Sequence, residues 1–288
     1  MYAITGITGQ VGGHLARALL DAGQQVRAVV RDAKKAQAWA DKGCEIALAD
    51  IGDTAALTAA FTGVDGVFVL LPPTFDPSPD LREARRSIAS LRDALAAARP
   101  SRVVCMSTIG AQATQPNLLS QLGLLEQALR TLDLPVAFLR AAWFIENSAW
   151  DIESARRDGV IPSYLQPSDK PVPMVATIDI GRLAAGLLLQ SWQGQRVVEL
   201  EGPARVTPDE IAATLGELLG RAVVNRPVPR DTWESAFRAQ GMTNPTPRMR
   251  MLDGFNEGWI EFEGAERGSM KGRTTIATVL GELVARQG

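Results

Sequence analysis

The clearest chemical signal in the sequence is a set of three glycines near its amino end. Thr5-Gly6-Ile7-Thr8-Gly9-Gln10-Val11-Gly12-Gly13 follows a short apolar run and opens a helical pattern. In such a turn Gly6 lets the chain reverse sharply, Gly9 lets backbone approach a pyrophosphate, and Gly12 lets helix and sheet pack closely. The phosphates then meet unpaired N–H groups at the positive end of a helix dipole. Glycine spacing alone is a weak signal. Set between a strand and a helix, in a run of alternating strand and helix patterns, it predicts a dinucleotide site.

The type of dinucleotide is read at the end of the second strand, where an acid suits a free ribose 2′-hydroxyl and an arginine accommodates a 2′-phosphate. Val26-Arg27-Ala28-Val29-Val30 runs into Arg31, with Lys34 and Lys35 close behind. A forked guanidinium contact is one that a lysine cannot copy, so NADP(H) is the expected cofactor. Asp32 takes the ribose role instead if the strand ends later, and a solvated helix start is the bland alternative for the basic cluster. Asp50, closing the third strand, suits either the adenine amino group or the cap of the next helix.

Other reactive groups are few. Cys44 and Cys105 are too few and too far apart for a disulfide framework or a metal site, and no metal is expected. The single histidine, His14, falls in the first turn of the first helix, where a packed or solvent-facing position is expected. Trp143, Phe144 and Trp150 crowd together after the sixth strand. They stack on a flat substrate or fill a domain interface. Trp39 and Trp192 are expected to pack, and Arg248-Met249-Arg250-Met251 either closes over a ligand or, as expected, forms a solvated face.

The elements that must position these residues alternate. Strands are predicted at 2–5, 26–30, 45–48, 66–71, 102–106 and 136–139, and helices at 11–22 and 81–98. Right-handed crossovers then give an α/β fold, a Rossmann-type doubly wound parallel sheet with the ligand at the carboxyl ends of the strands. Residues 1–141 read as the NADP(H)-binding core. Residues 142–288 read as a smaller C-terminal α/β substrate lobe with segments returning to the core, among them a helix over 178–190 and a strand over 197–200. Thr207-Pro208-Asp209-Glu210 is a helix start.

Composition bounds the partners. At 288 residues, 46% apolar and 22% charged, the chain is ordinary globular material. Thirty basic residues against thirty-two acidic ones leave a formal charge of -2 and no electrostatic footprint for nucleic acid or an anionic membrane. With no basic segment before the first apolar run and no stretch long enough to span a bilayer, a cytoplasmic protein acting on a small molecule is expected.

With the glycine turn, Arg31 and Asp50 in place, the chain resembles the NmrA-like branch of the atypical short-chain dehydrogenase/reductase superfamily. The resemblance runs through Ser107-Thr108-Ile109-Gly110-Ala111, Leu139-Arg140 with Phe144 and Asn147, Met174-Val175-Ala176-Thr177 leading to Asp179-Ile180-Gly181, and Glu199 to Pro203. Its members include NADPH-dependent quinone reductases, isoflavone-type reductases, flavin-free azo-dye reductases and NADP(H)-binding regulators. The Leu70-Leu71-Pro72-Pro73-Thr74 turn looks most like the bacterial quinone and azo reductases. The resemblance implies Gly6, Thr8, Gly9, Gln10 and Val11 at the pyrophosphate, Arg31 at the 2′-phosphate and Asp50 at adenine, and the residue pattern itself adds Gly12 and Lys35 to the expected cofactor site. It also implies Leu70, Leu71 and Pro72 along the nicotinamide half and Ser107 and Thr108 near its ribose.

The family's acid is missing. Neither Tyr2 nor Tyr164 is followed four residues later by the lysine of the usual Tyr-x-x-x-Lys pair. In many reductases of this branch a lysine four residues before a glutamate replaces it, and here that position is Leu122, before Glu126. Hydride transfer to a conjugated quinone or azo acceptor then relies on fixed hydrogen-bond donors and positioning. Candidates are Ser107, Asn147, Gln121 and Asn117, with Trp143, Phe144 and Asn147 at the substrate. The alternative is a redox sensor that binds NADP(H) without turnover and acts through a protein partner, and a homodimer is a family-level expectation.

Overall fold

The computed structural model describes residues 1–264 and 268–287. In chain order the core half comprises β1 (Tyr2–Thr5), α1 (Gln10–Asp21), β2 (Val26–Val30), α2 (Ala33–Ala40), β3 (Glu45–Leu48), α3 (Thr54–Phe61), β4 (Gly66–Val69), α4 (Arg82–Ala98), β5 (Arg102–Thr108), α5 (Ser120–Leu129) and β6 (Val136–Ala141). There follow β7 (Trp143–Phe144), a 3-10 helix (Ile145–Trp150), α6 (Ile152–Asp158), β8 (Val160–Ser163), β9 (Met174–Val175), α7 (Thr177–Leu189) and β10 (Gln195–Glu201). The chain closes with α8 (Pro208–Leu219), β11 (Val224–Pro227), α9 (Trp233–Ala239), α10 (Thr246–Glu257), β12 (Met270–Lys271) and α11 (Ile276–Arg286).

Eight parallel strands form one sheet in the order β12-β10-β6-β5-β4-β1-β2-β3. The order reverses between β1 and β4, which is the switch point where such sheets leave a crevice. Side chains alternate across the sheet as the pleat requires. Ile4, Ala28, Phe68, Val104 and Leu139 enter a cluster with α1, α7 and the later helices, while Ala3, Val29, Val67, Cys105 and Phe138 pack toward α3, α4 and α5.

Among the first six strands, three boundaries differ from the sequence reading. β4 ends at Val69, because the Leu70 N–H turns out of the ladder to Thr5 Oγ1 at 2.9 Å. β5 and β6 run on to Thr108 and Ala141, paired with one another as Ser107 with Arg140 and Thr108 with Ala141. Much of the carboxyl half returns to the sheet: β10 pairs with β6, β12 pairs with β10, and α7 lies along α1. Gly181 permits that crossing, since a Cβ there would sit 2.5 Å from His14 Cβ. His14 is accordingly half-buried at a helix contact. Trp39 packs in the core, and among the described residues no helix is long and apolar enough to cross a membrane.

Candidate functional site

At the switch point the turn after β1 presents a bare helix end. Gly6 adopts φ +66°, and a Cβ on Gly12 would lie 2.3 Å from the Gly6 carbonyl oxygen. Only hydrogen fits there. Gly9 precedes α1 in extended conformation without a capping side chain, and the first turn's N–H groups lack intrahelical acceptors until Gly13 bonds Gly9 O at 2.9 Å. Thr8, Gly9 and Gln10 are exposed around this end. An anion therefore meets oriented donors and a positive dipole, and these residues fit a pyrophosphate. Thr5 locks the neighbouring strand ends, its hydroxyl donating to Phe68 O at 3.2 Å and accepting from Leu70 N. The sequence reading assigned Thr5 no role.

Arg31 follows β2, is exposed and has no ion-pair partner among the described residues. Lys35 stands exposed one turn on. Asp32 accepts from Lys34 N at 2.8 Å as the N-cap of α2, so the strand ends where the arginine reading requires and the acid already has a structural task. Asp50 is exposed and accepts from Gly52 N at 2.9 Å, while the cap of α3 is Asp53. The even choice at Asp50 resolves against helix capping.

Leu70 half-covers Gly6, Leu71 is buried and Pro72 is exposed beside them. Across the switch, β6 leads into Trp143 and Phe144, both half-buried. Trp143 meets Phe255 edge-on, with ring centres 5.2 Å apart. Trp150 does not join this group: it is 69% exposed at the end of the 3-10 helix and shares no ring contact with either residue.

The candidate donors separate sharply. Ser107 is 1% exposed and gives its proton to Glu126 at 2.6 Å, so its only donor is already engaged. Glu126 also receives Arg140 through both oxygens at 2.8 Å. Burial opposes ionisation of Glu126, but Arg140 and Ser107 outweigh it and hold the carboxyl below its usual range. This pair braces α5 against β6 and leaves Ser107 no proton to offer a substrate. Thr108 is turned to the Ile109 carbonyl at 3.1 Å. Gln121 donates to Thr74 O and Leu118 O, and Asn117 is held by Gln115 O and Leu119 N, so both organise loops. Leu122 packs in the apolar cluster beside α4 and α5. Asn147, half-buried in the 3-10 helix, has no side-chain hydrogen bond among the described residues.

Two groups beside the turn escaped the sequence reading. Glu146 Oε1 accepts from Thr177 N at 2.8 Å and from Thr177 Oγ1 at 2.6 Å, and Thr177 Oγ1 lies 3.3 Å from Gln10 Oε1. Burial raises the Glu146 pKa, and its Oε2 is buried without a hydrogen-bond partner among the described residues. Thr177 closes the Met174 to Thr177 motif and Glu146 lies between Phe144 and Asn147, but no periodicity marks a hydrogen bond between positions thirty-one residues apart.

The sequence pattern of the NAD(P)H-binding family matches residues 6–164, more than half of the chain. An NAD(P)H azoreductase of Xenophilus azovorans is 27% identical over 243 residues, covering 84% of this chain and 82% of its own length. A (4-alkanoyl-5-oxo-2,5-dihydrofuran-3-yl)methyl phosphate reductase of Streptomyces griseus is 26% identical over 286 residues, covering 99% and 93% respectively. The crystal structure of an NADPH-dependent quinone oxidoreductase from Escherichia coli superimposes with a TM-score of 0.78 at 25% identity, covering 98% of this chain and 99% of that one.

Proposed function

Since the chain belongs to the NAD(P)H-binding family, we propose that it is an NADPH-dependent reductase whose cleft passes hydride directly to a flat, conjugated acceptor such as a quinone or azo compound, without flavin. When bound, the nicotinamide supplies the hydride. The chain's own residues hold and orient: the first-turn N–H groups of α1 take the pyrophosphate, Arg31 the 2′-phosphate, and Leu70 to Pro72 flank the nicotinamide half. Relatives named as an azoreductase, a quinone oxidoreductase and a reductase of an unsaturated lactone support an acceptor that is conjugated with an electron-poor centre.

The observation that carries this reading is Asn147. Among the four candidate donors it alone retains an unengaged amide, and it follows Trp143 and Phe144 at the carboxyl edge of the sheet. Its N–H groups suit the anion that develops on a quinone or azo acceptor as hydride arrives, while water supplies the proton. A cytoplasmic location and a homodimer complete the proposal at the level of the resemblance.

The test is NADPH consumption with a panel of quinones, azo dyes and enones, flavin being withheld and then added. Turnover without flavin, with Trp143→Ala raising KM for the acceptor but sparing NADPH affinity, is the expected result. Tight NADPH binding with no turnover across the panel would instead favour the sensor reading, which the engagement of Ser107 and the leucine at position 122 also fit.

A further inference from the structure

Helix α10 holds a positive charge that meets no carboxylate among the described residues. Arg248 on α10 is half-buried, its guanidinium carbon 4.5 Å from the centre of the Phe237 ring. Its one hydrogen-bond partner among the described residues is Met242 Sδ, at 3.8 Å. A guanidinium carries five N–H donors in a planar fork, and a thioether is a weak acceptor, so most of that capacity is unused. Burial pulls the group below its usual pKa, as happens when a cation leaves water without a carboxylate to meet it. Arg205 and Arg230, by contrast, meet Glu261 and Asp253 at 2.8 and 2.6 Å. Arg196 also meets no carboxylate among the described residues, but it lies at the start of β10 at the amino edge of the sheet, away from the cleft.

α10 lies across the carboxyl edge. Its first turn is fastened to the loop after β5, where Pro247 O accepts from Leu118 N at 2.9 Å and Arg250 Nε donates to Pro116 O at 2.8 Å. Its last turn reaches Trp143 through Phe255. Arg248 and Phe255 are seven residues apart, which places them on one face of the helix about 10 Å apart along its axis. Tyr164 packs on the same Phe237 ring at 5.0 Å, and its hydroxyl has no hydrogen-bond partner among the described residues. The solvated face expected for the basic segment is thus corrected for Arg248, although Arg250 is exposed.

We propose that Arg248, aided by the Tyr164 hydroxyl, binds an anionic oxygen substituent of the acceptor, a carboxylate, sulfonate or phosphate carried at the far end of a ring that lies against Trp143 and Phe144. The proposal rests on reading this cleft as the acceptor site. It assigns the substrate class: acidic aromatic or conjugated compounds in preference to their neutral counterparts. A planar fork matches two oxygens of such a group, and the half-buried setting strengthens the contact.

The test is calorimetric titration of the NADP+-loaded protein with naphthalenesulfonate, naphthoate and the neutral naphthamide. One or both anions should bind roughly tenfold or more tightly than the amide, the size of a charge-assisted hydrogen bond. Arg248→Gln should erase that preference while leaving naphthamide and NADPH affinities unchanged. Arg248→Lys, which keeps the charge and stem but not the fork, should retain part of it and carries the test if the glutamine variant fails to fold. No preference in the unaltered protein, equal weakening of all three probes, or weakened NADPH binding would each overturn the proposal. Because titration needs no turnover, an inactive protein that prefers the anions would sink the reductase reading alone, and an active one that ignores them would sink only this subsite.

Discussion

Glu146 receives both the backbone N–H and the hydroxyl of Thr177, at 2.8 and 2.6 Å, and so fastens the 3-10 helix beside the aromatic pair to the start of α7. Thr177 in turn approaches Gln10 at the first position of α1. The proposed acceptor side and the glycine turn after β1 are therefore joined through Glu146 and Thr177. Glu146→Ala leaves the Thr177 donors without that partner and should cost about 1–3 kcal/mol in urea unfolding, together with weaker NADPH binding. Glu146→Gln keeps an acceptor oxygen and should stay near the unaltered protein on both measurements.

The Gly12 contact makes a stricter demand. A methyl group at that position would stand 2.3 Å from the Gly6 carbonyl oxygen. Gly12→Ala must therefore push α1 away from the turn, a backbone shift of the kind that costs about 1–3 kcal/mol. NADPH affinity should fall with thermal stability. Retention of both would show that the turn yields more easily than its geometry implies.

Arg31 is expected to discriminate between cofactors. Replacing it by alanine should weaken NADPH by roughly tenfold to a hundredfold, the loss of a charge-assisted contact, and should leave NADH unchanged. Calorimetry with both nucleotides decides it, and equal weakening of the two would remove Arg31 from the 2′-phosphate.

Glu126 and Arg140 act on stability. Both side chains are nearly fully buried, at 5% and 4% exposure, and their pairing at 2.8 Å satisfies charges that water cannot reach. Glu126→Ala should destabilise the fold by about 3 kcal/mol or more. Ser107→Ala, which removes one neutral donor from that carboxylate, should cost less and leave kcat with a quinone unaltered. A large fall in kcat for Ser107→Ala in a well-folded protein would restore Ser107 as a substrate donor.

Asp151 supplies a pH signature. Half-buried and without a side-chain hydrogen bond among the described residues, its carboxyl is pushed up to about 7 by burial. A carboxyl whose folded pKa lies above its unfolded value contributes fully below about pH 4 and loses that contribution as pH rises through the folded value near 7. The stability of the unaltered protein relative to Asp151→Asn should therefore fall across this window in thermal melts. Parallel curves for the two proteins would show that Asp151 titrates as an exposed carboxyl.

Whatever is written in local spacing could be read from the chain alone. Apolar runs marked the first six strands, helical patterns marked α1 and α4, and the Gly6, Gly9 and Gly12 spacing marked a tight turn between β1 and α1, because backbone conformation and helix ends are set within a few residues. The packed fold decided which polar groups remain available. Ser107 looked like a donor until Glu126 was seen to take its proton, and Asp32 was ambiguous until it capped α2. Glu146 was silent until Thr177 met it, and Arg248 looked solvated until Phe237 lay under it. A hydrogen bond or a desolvated charge depends on partners distant in the chain, and only tertiary packing brings those partners within reach.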